Sequence, residues 1–324
     1  PDVIGRRFID ALIERAHAGI SVRVHLDAFG SVALIISKED QRMRDAGIEL
    51  KWFNPWRWYR PFGFNRRNHR KLLIIDDTVA FTGGMNIRAG HLQLGEAPIR
   101  DTHFRLDGPV VRHLIETFAD DWAFATGTAV PSPKQTAIPG DGDLLARGIA
   151  AGPDESFERI RWAMLGALAV ARRRVRIITP YFLPDPTMMA ALMLAALRGV
   201  RVDIVLPAQG NLRLVQWASR AKLAPLLARG CLIWLTPPPF DHSKLMTVDG
   251  AWSLFGSANW DPRSLRLNFE FNIECYGERF AAALDAVIDS RCAEALPYTL
   301  ADDQTRSLPT RLRDGAAWLL SPYL

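Results

Sequence analysis

Two histidines, His69 and His242, each stand two residues before a lysine, Lys71 and Lys244. Around both pairs the same residue types return at the same offsets: Asp76 and Asp249 seven residues after the histidine, Gly83 and Gly256 fourteen, Asn86 and Asn259 seventeen. A lone His-x-Lys is most often a surface pair, but two copies with matching Gly and Asn are not readily a coincidence. An imidazole can attack phosphorus or move a proton near neutral pH, and a lysine can hold an anion's charge. Two imidazoles brought together across a pseudo-twofold interface can divide the work, one neutral as nucleophile and the other protonated as general acid. Phosphoryl transfer suits such a site. Lys71 and Lys244 would supply the charge that metal ions supply elsewhere, and no carboxylate cluster of Mg²⁺-like spacing flanks either histidine, so neither metal nor cofactor is expected.

The elements around these residues must hold them face to face. In a strand, residues two apart share a face, so His69 with Lys71 and His242 with Lys244 project together. The apolar run Leu72 to Ile75 supports a strand, and Asp249-Gly250 reads as a two-residue hairpin turn. Outward pairing from two-residue turns sets Ser257 opposite His242 and Gly84 opposite His69, leaving room for a phosphate held by Lys, Asn and backbone N–H groups. Asp76 and Asp249 have the opposite parity, which makes them structural or supporting groups. Asp101 and Glu270, about thirty residues beyond each histidine, are candidates to orient its Nδ1.

The repeat extends beyond the motif. Ala11 to Gly30 matches Ala191 to Gly210 with a shift of 180, sharing Leu12/Leu192, Gly19/Gly199, Val22/Val202 and Leu26/Leu206. Each half reads helix, Gly, strand, then a second helix, Gly and strand, the earlier pair at about 40–45 and 48–53. The later half has an apolar strand at Val175 to Phe182 before its first helix, so a strand upstream of Pro1 is expected for the earlier half. Residues 126–142 hold three prolines and little periodicity and read as a linker between 1–125 and 143–324. The tail from Asp302 is polar and ends in an apolar run, Trp318 to Leu324, expected to dock.

With 324 residues and 48 % hydrophobic composition, the chain can bury two domains of ordinary size. A formal charge of +5 and a pI near 9.3 point to an anionic partner without choosing between nucleic acid and a membrane surface. Cys231, Cys275 and Cys292 are too few and scattered for a disulfide framework or a zinc site, which suggests a reducing compartment. The longest apolar segments reach about half of the roughly 20 residues a membrane span needs. The sequence begins at Pro1 with neither an initiator Met nor a charged-then-apolar leader, so its natural N-terminus is expected to lie upstream.

The doubled His-x-Lys-x(4)-Asp resembles the signature of the phospholipase D superfamily, in which two copies form one active site. The runs Asn68 to Asp76, Phe81 to Ile87, Thr179 to Asp185 and Gly256 to Ser264, with the closing Leu320 to Leu324, resemble the bacterial cardiolipin synthases. That resemblance implies an α/β fold of two similar domains, each a mixed sheet flanked by helices, related by a pseudo-twofold with the site between them. It implies a phosphatidyl transfer from phosphatidylglycerol to an alcohol, a second phosphatidylglycerol, through a phosphohistidine. By position His69 is the nucleophile and His242 the acid, with those roles open to exchange. Lys71, Lys244, Asn86 and Asn259, with Gly84 and Ser257, hold phosphate, and Asp76 and Asp249 come with the catalytic signature. Asp77 departs from the Gly usual after the first motif.

Between Lys51 and Lys71 lie Trp52, Phe53, Trp56, Trp58, Tyr59, Phe62 and Phe64, interleaved with Arg57, Arg60, Arg66, Arg67 and Arg70. Aromatic and basic side chains together suit an anionic lipid interface, although any one ring is as readily core. The expected partner is an anionic phospholipid membrane, met peripherally on the cytoplasmic side of a bacterial inner membrane, with nucleic acid ranked behind it. A phosphodiesterase acting on phospholipid or nucleic acid is the alternative, because the same side chains stack on bases and bind phosphates. A basic nucleic-acid-binding protein with a vestigial site is the third reading.

Overall fold

The structure, a computed structural model, describes residues 1–55, 66–95, 97–130, 142–154 and 156–321. The first half runs α1 (Val3–His17), β1 (Arg23–Asp27), α2 (Val32–Ile36), α3 (Glu39–Asp45), β2 (Glu49–Phe53), β3 (Leu72–Ile75), β4 (Val79–Gly83), β5 (Ile99–Arg100), β6 (His103–Asp107) and α4 (Val111–Thr126). The second half runs β7 (Leu145–Ala151), α5 (Arg159–Val170), β8 (Arg174–Ile178), α6 (Pro186–Leu197), β9 (Arg201–Pro207), α7 (Arg213–Arg220), α8 (Leu223–Leu227) and β10 (Leu232–Thr236). It continues through β11 (Phe240–Asp241), β12 (Leu245–Val248), β13 (Trp252–Gly256), β14 (Glu270–Tyr276), α9 (Glu278–Glu294), β15 (Leu296–Tyr298), α10 (Leu300–Gln304) and α11 (Leu308–Leu319).

The second half forms one mixed eight-stranded sheet, ordered β15-β10-β9-β8-β12-β13-β14-β7. Helices cover both faces, so its central strands are buried throughout: Val202 to Val205 of β9 are all buried, Asp203 among them with its carboxylate accepting from Arg201 and Trp234. In this sheet β8 joins the parallel pair β9-β10 to the antiparallel hairpin β12-β13. The first half repeats the parallel pair as β1-β2 and the hairpin with its neighbour as β3-β4-β6, but as two separate sheets. Among the described residues no strand fills the place between them that β8 fills in the other half.

Local chemistry sets the boundaries. The Asp2 carboxylate caps α1 by accepting the N–H groups of Ile4 and Gly5 at 3.1 and 2.9 Å, and Gly19, at φ +83°, ends that turn. Asp185 caps α6 in the same way, with Pro186 at its first position. The tail, expected to be polar up to its apolar end, is helical over α10 and α11. Trp318 packs with Leu183, Val215 and Ala218 under the ammonium of Lys222, 3.4 Å from its ring centroid, while 322–324 lie outside the described residues.

One core lies beneath α5 and α6; a second joins the halves. In that second core Ala80, Val111 and Leu114 of the first half pack with Leu245, Phe255, Phe271 and Leu284 of the other, and Phe104 meets Phe255 with ring centroids 3.8 Å apart. This buried apolar seam resists relative motion of the halves, as a domain core does. The division at 126–142 is retained as our proposal, since 131–141 of it lie outside the described residues. No helix of the described residues is long and apolar enough to cross a membrane.

Candidate active site

Each histidine lies just before a hairpin rather than within its strand, in a segment pinned to the opposite half. The N–H of His69 donates to Phe269 O at 2.9 Å, and that of Phe269 to Arg67 O at 2.8 Å. In the mirrored contact, β11 pairs in parallel with β5, and the N–H of His242 donates to Arg100 O at 2.7 Å. In both cases the acceptor residue precedes a buried carboxylate, so each imidazole arrives beside the carboxylate of the other half. His69 Nδ1 is 3.0 Å from both oxygens of Glu270, and His242 Nδ1 is 2.8 Å from Asp101 Oδ2. Both carboxylates are wholly buried. Sequence separation pairs each carboxylate most simply with the histidine of its own half; the fold exchanges them.

Both lysines turn back toward their histidines. Lys71 Nζ donates to His69 O at 2.7 Å, and Lys244 Nζ donates to His242 O at 2.6 Å while lying 3.1 Å from His242 Nε2. An ammonium has three N–H groups, so each lysine keeps donors for a phosphate oxygen. Burial pushes both lysines down to about 8, the nearby carboxylates opposing it. His242 is driven down to about 3 by burial and by the charge of Lys244. His69 is lowered by burial too, with Glu270 pulling the other way and Lys71 adding to the fall. Lys244 acts on His69 and Lys71 on His242, so the two motifs share one electrostatic site. Asp101 and Glu270 end below their ordinary values: burial would raise them, but the imidazoles against them more than offset it.

The two histidines differ in access. His69 keeps 29 % of its side-chain surface and His242 9 %. A cleft of about 170 Å³ opens at His69 and is lined also by Arg67, Tyr181, Asn259, Asp261 and Arg263. Burial raises Asp261 there to about 6.

Several residues take places that differ from the sequence-based expectation. Asp76 and Asp249 belong to hairpin turns, not to the catalytic group in which the signature sets them. Asp249 is about 20 Å of extended chain from His242, and its carboxylate accepts the N–H groups of Arg172, Arg173 and Arg174 at 2.8–2.9 Å. Asp76 is exposed at φ 50°. Both hairpins pair one residue further out than a two-residue turn allows, Val248 with Trp252 and Ile75 with Val79. The left-handed pairs Asp249-Gly250 and Asp76-Asp77 do close two-residue turns, Ala251 N–H donating to Val248 O and Thr78 N–H to Ile75 O at 3.1 Å, but Ala251 and Thr78 then stand as an extra residue in the second strand of each hairpin. That shift removes the expected facing of Ser257 to His242 and of Gly84 to His69. Ser257 instead donates its Oγ–H to Glu270 Oε2 at 2.5 Å, and at Gly84 a Cβ would stand 2.3 Å from Asp101 Oδ1. Asn259 is buried, lines the cleft and donates to Ser264 Oγ at 3.1 Å; Asn86 is exposed, so these two matched residues do not share one environment.

Three residues escaped the sequence reading because each is single. Asp121 accepts from Asn68 Nδ2 at 2.9 Å and pairs with Arg70, fixing the residues that flank His69. His91 places Nδ1 3.2 Å from the same Asp101 oxygen that His242 uses. His91, Asp101 and His242 offer donor atoms within 4.8 Å of one another, a set that could ligate a cation, although here Asp101 is hydrogen-bonded to His242. Asp261 was seen only within a run. Of the aromatic-basic loop, Phe53 is core against Phe269, with ring centroids 5.1 Å apart; Trp56, Arg57, Trp58, Tyr59, Arg60, Phe62 and Phe64 lie outside the described residues.

The chain is 36 % identical over 328 residues to cardiolipin synthase A of Pseudomonas putida (strain GB-1), covering all of this chain and 68 % of that protein. It is 38 % identical over 334 residues to a cardiolipin synthase of Geobacillus sp. (strain WCH70), covering all of this chain and 65 % of the relative. Among solved structures, phosphatidylserine synthase of Haemophilus influenzae Rd KW20 superposes with a TM-score of 0.74 at 14 % identity, over 100 % of this chain and 88 % of that one, a likeness of fold. The family described as "Cardiolipin synthase, PLD-like domain" matches residues 3–122 and 164–292. With two His-x-Lys motifs meeting across a seam, the chain belongs to that family, within the phospholipase D superfamily.

Proposed function

We propose that the chain is a phosphatidyltransferase of the cardiolipin synthase type, moving a phosphatidyl group from one phosphatidylglycerol to the hydroxyl of another. The observation that carries this reading is the exchange of carboxylates, which supports one site with two oriented imidazoles. The relatives' names supply the substrate class. In the first step His69 Nε2 attacks phosphorus, the bond from phosphorus to the glycerol oxygen breaks, and that oxygen takes the proton that the Lys244 ammonium supplies through His242 Nε2. The ammonium of Lys244, 3.1 Å from His242 Nε2, belongs to the same hydrogen-bonded pair as that proton. In the second step the acceptor hydroxyl returns its proton to the His242–Lys244 pair and its oxygen bonds to phosphorus, and the phosphorus–nitrogen bond breaks to restore His69.

The carboxylates keep Nδ1 protonated and Nε2 turned to the cleft. Lys71, Lys244 and Asn259 hold the phosphate oxygens, with Asn86 in that role on the less enclosed side. We place the protein at the cytoplasmic face of a bacterial inner membrane, peripheral in this portion of the chain.

Purified protein mixed with phosphatidylglycerol vesicles should yield cardiolipin and glycerol in equal amounts. Phosphatidic acid in place of cardiolipin would identify a hydrolase, and DNA degradation without lipid turnover a nuclease. His69→Ala and His242→Ala should each lower turnover by about 10⁴-fold or more; unchanged turnover would end the proposal.

A further inference from the structure

The repeat continues past the strands into two loops at the cleft, and both expose apolar side chains where a soluble surface would be polar. After β1, Phe29, Val32, Ile35 and Ile36 are 62, 46, 47 and 78 % exposed. After β9, Leu212 and Leu214 are 50 and 45 % exposed. The 180-residue shift that aligns Gly30 with Gly210 carries Val32 onto Leu212 and Leu34 onto Leu214.

Both loops are tied to the site. Phe29 lies under the guanidinium of Arg67, 4.3 Å from its ring centroid, and Arg67 donates to Asp27 at 2.8 Å while lining the cleft two residues before His69. On the other side Leu212 lines the cleft directly. Its neighbour Asn211 accepts from the Tyr181 hydroxyl at 2.9 Å, and the Tyr181 ring lies 6.4 Å from that of His242. The cations Lys38, Arg66 and Arg213 are exposed beside these apolar groups.

We infer that the segments 29–36, which include α2, and 211–214, which lead into α7, are two lips that insert into an anionic phospholipid bilayer and seat the cleft on its surface. The occupant follows from charge and position: exposed apolar side chains with exposed cations among their neighbours match acyl chains under anionic headgroups, and Phe29, through Arg67, and Leu212 bring them to the edge of the cleft that would receive a headgroup. This deepens the proposed function and rests on its lipid substrate.

The test uses flotation with phosphatidylglycerol vesicles and turnover of monomeric dihexanoyl phosphatidylglycerol. Val32→Gln with Ile36→Gln, and separately Leu214→Gln, should weaken vesicle binding about tenfold or more. Leu197→Gln, an exposed leucine that ends α6 ahead of the opposite end of β9, should change it less than about twofold. The Val32/Ile36 variant should turn over the monomeric lipid as wild type does, which also shows that it folds. Vesicle binding by the lip variants equal to wild type overturns the inference. So does loss of a dimer in sedimentation with vesicle binding intact, since the surface then joins two copies. If the lips govern vesicle binding but no lipid is converted, docking stands and the proposed reaction fails.

Discussion

His69 of the first half and Glu270 of the second are bound at 3.0 Å through Nδ1, and neither half by itself holds both an imidazole and its orienting carboxylate. His242 and Asp101 make the reverse contact at 2.8 Å. Catalytic competence is therefore a property of the seam. Glu270→Gln and Asp101→Asn should each reduce kcat by about 10²- to 10⁴-fold, since the amide keeps the shape but loses the charge that holds the working tautomer. Their unfolding midpoints should stay near wild type. A variant with full turnover would show that the carboxylates only pack.

The pattern of what the chain reveals by itself follows from the range of each signal. His69, Lys71, His242 and Lys244 stand out because their chemistry is written twice within a few residues, and the helix-Gly-strand order shows through periodicity and turns. The exchange of carboxylates does not, because an offset of about thirty residues points to the histidine of the same half and no local signal marks the crossing. The hairpin register turned on the residue after Asp76-Asp77 and Asp249-Gly250: both pairs close a two-residue turn, and Thr78 and Ala251 follow as extra residues that move it by one. Asp121 and His91 are single residues whose role exists only once α4 and the 89–92 turn are in place.

Charge on the lysines should set the alkaline limb of activity. Lys71 and Lys244 sit at about 8 because burial disfavours their charged forms. Below that pH they are positive and hold the phosphodiester; above it they lose charge, and kcat/KM should fall by about tenfold per pH unit when one proton governs it. A plateau to pH 10 would show ordinary lysines.

The same lysines have the opposite effect on folding. Their unfolded value is 10.5, so between about 8 and 10.5 the unfolded chain binds more protons than the folded one, and their contribution to stability rises with pH. Comparing wild type with Lys244→Met in urea from pH 7.5 to 10 checks it: wild type should gain on the variant as pH rises. A constant difference would refute the argument.

Arg70 should matter to the scaffold more than its place between the catalytic pair suggests. Its guanidinium pairs with Asp121 and donates to Glu270 O at 3.0 Å and Ala151 O at 3.1 Å, both on the other half. Arg70→Met leaves a buried carboxylate unpaired, a loss of about 3–5 kcal/mol. Adding Asp121→Leu should restore part of it, and thermal unfolding of the single and double variants measures both. Equal midpoints for wild type and Arg70→Met would mean that the seam holds without the clamp.

The two halves solve the carboxylate problem with different pairs, and exchanging one member should expose the coupling. Ser257 stands beside the longer Glu270 and hydrogen-bonds it, whereas Gly84 stands beside the shorter Asp101, with no room for a Cβ. Asp101 is also fixed by the Thr102 N–H at 2.8 Å and by His242, so it cannot step aside without turning the imidazole. Gly84→Ser, which writes the second half's residue into the first, should therefore lower kcat by about 10²-fold or more while costing about 1–3 kcal/mol in stability. Adding Asp101→Glu supplies the longer side chain that reaches past a serine and should recover at least about tenfold in kcat. If Gly84→Ser is as active as wild type, the steric coupling is absent; if the double variant is no better than the single, the residues do not work as a pair.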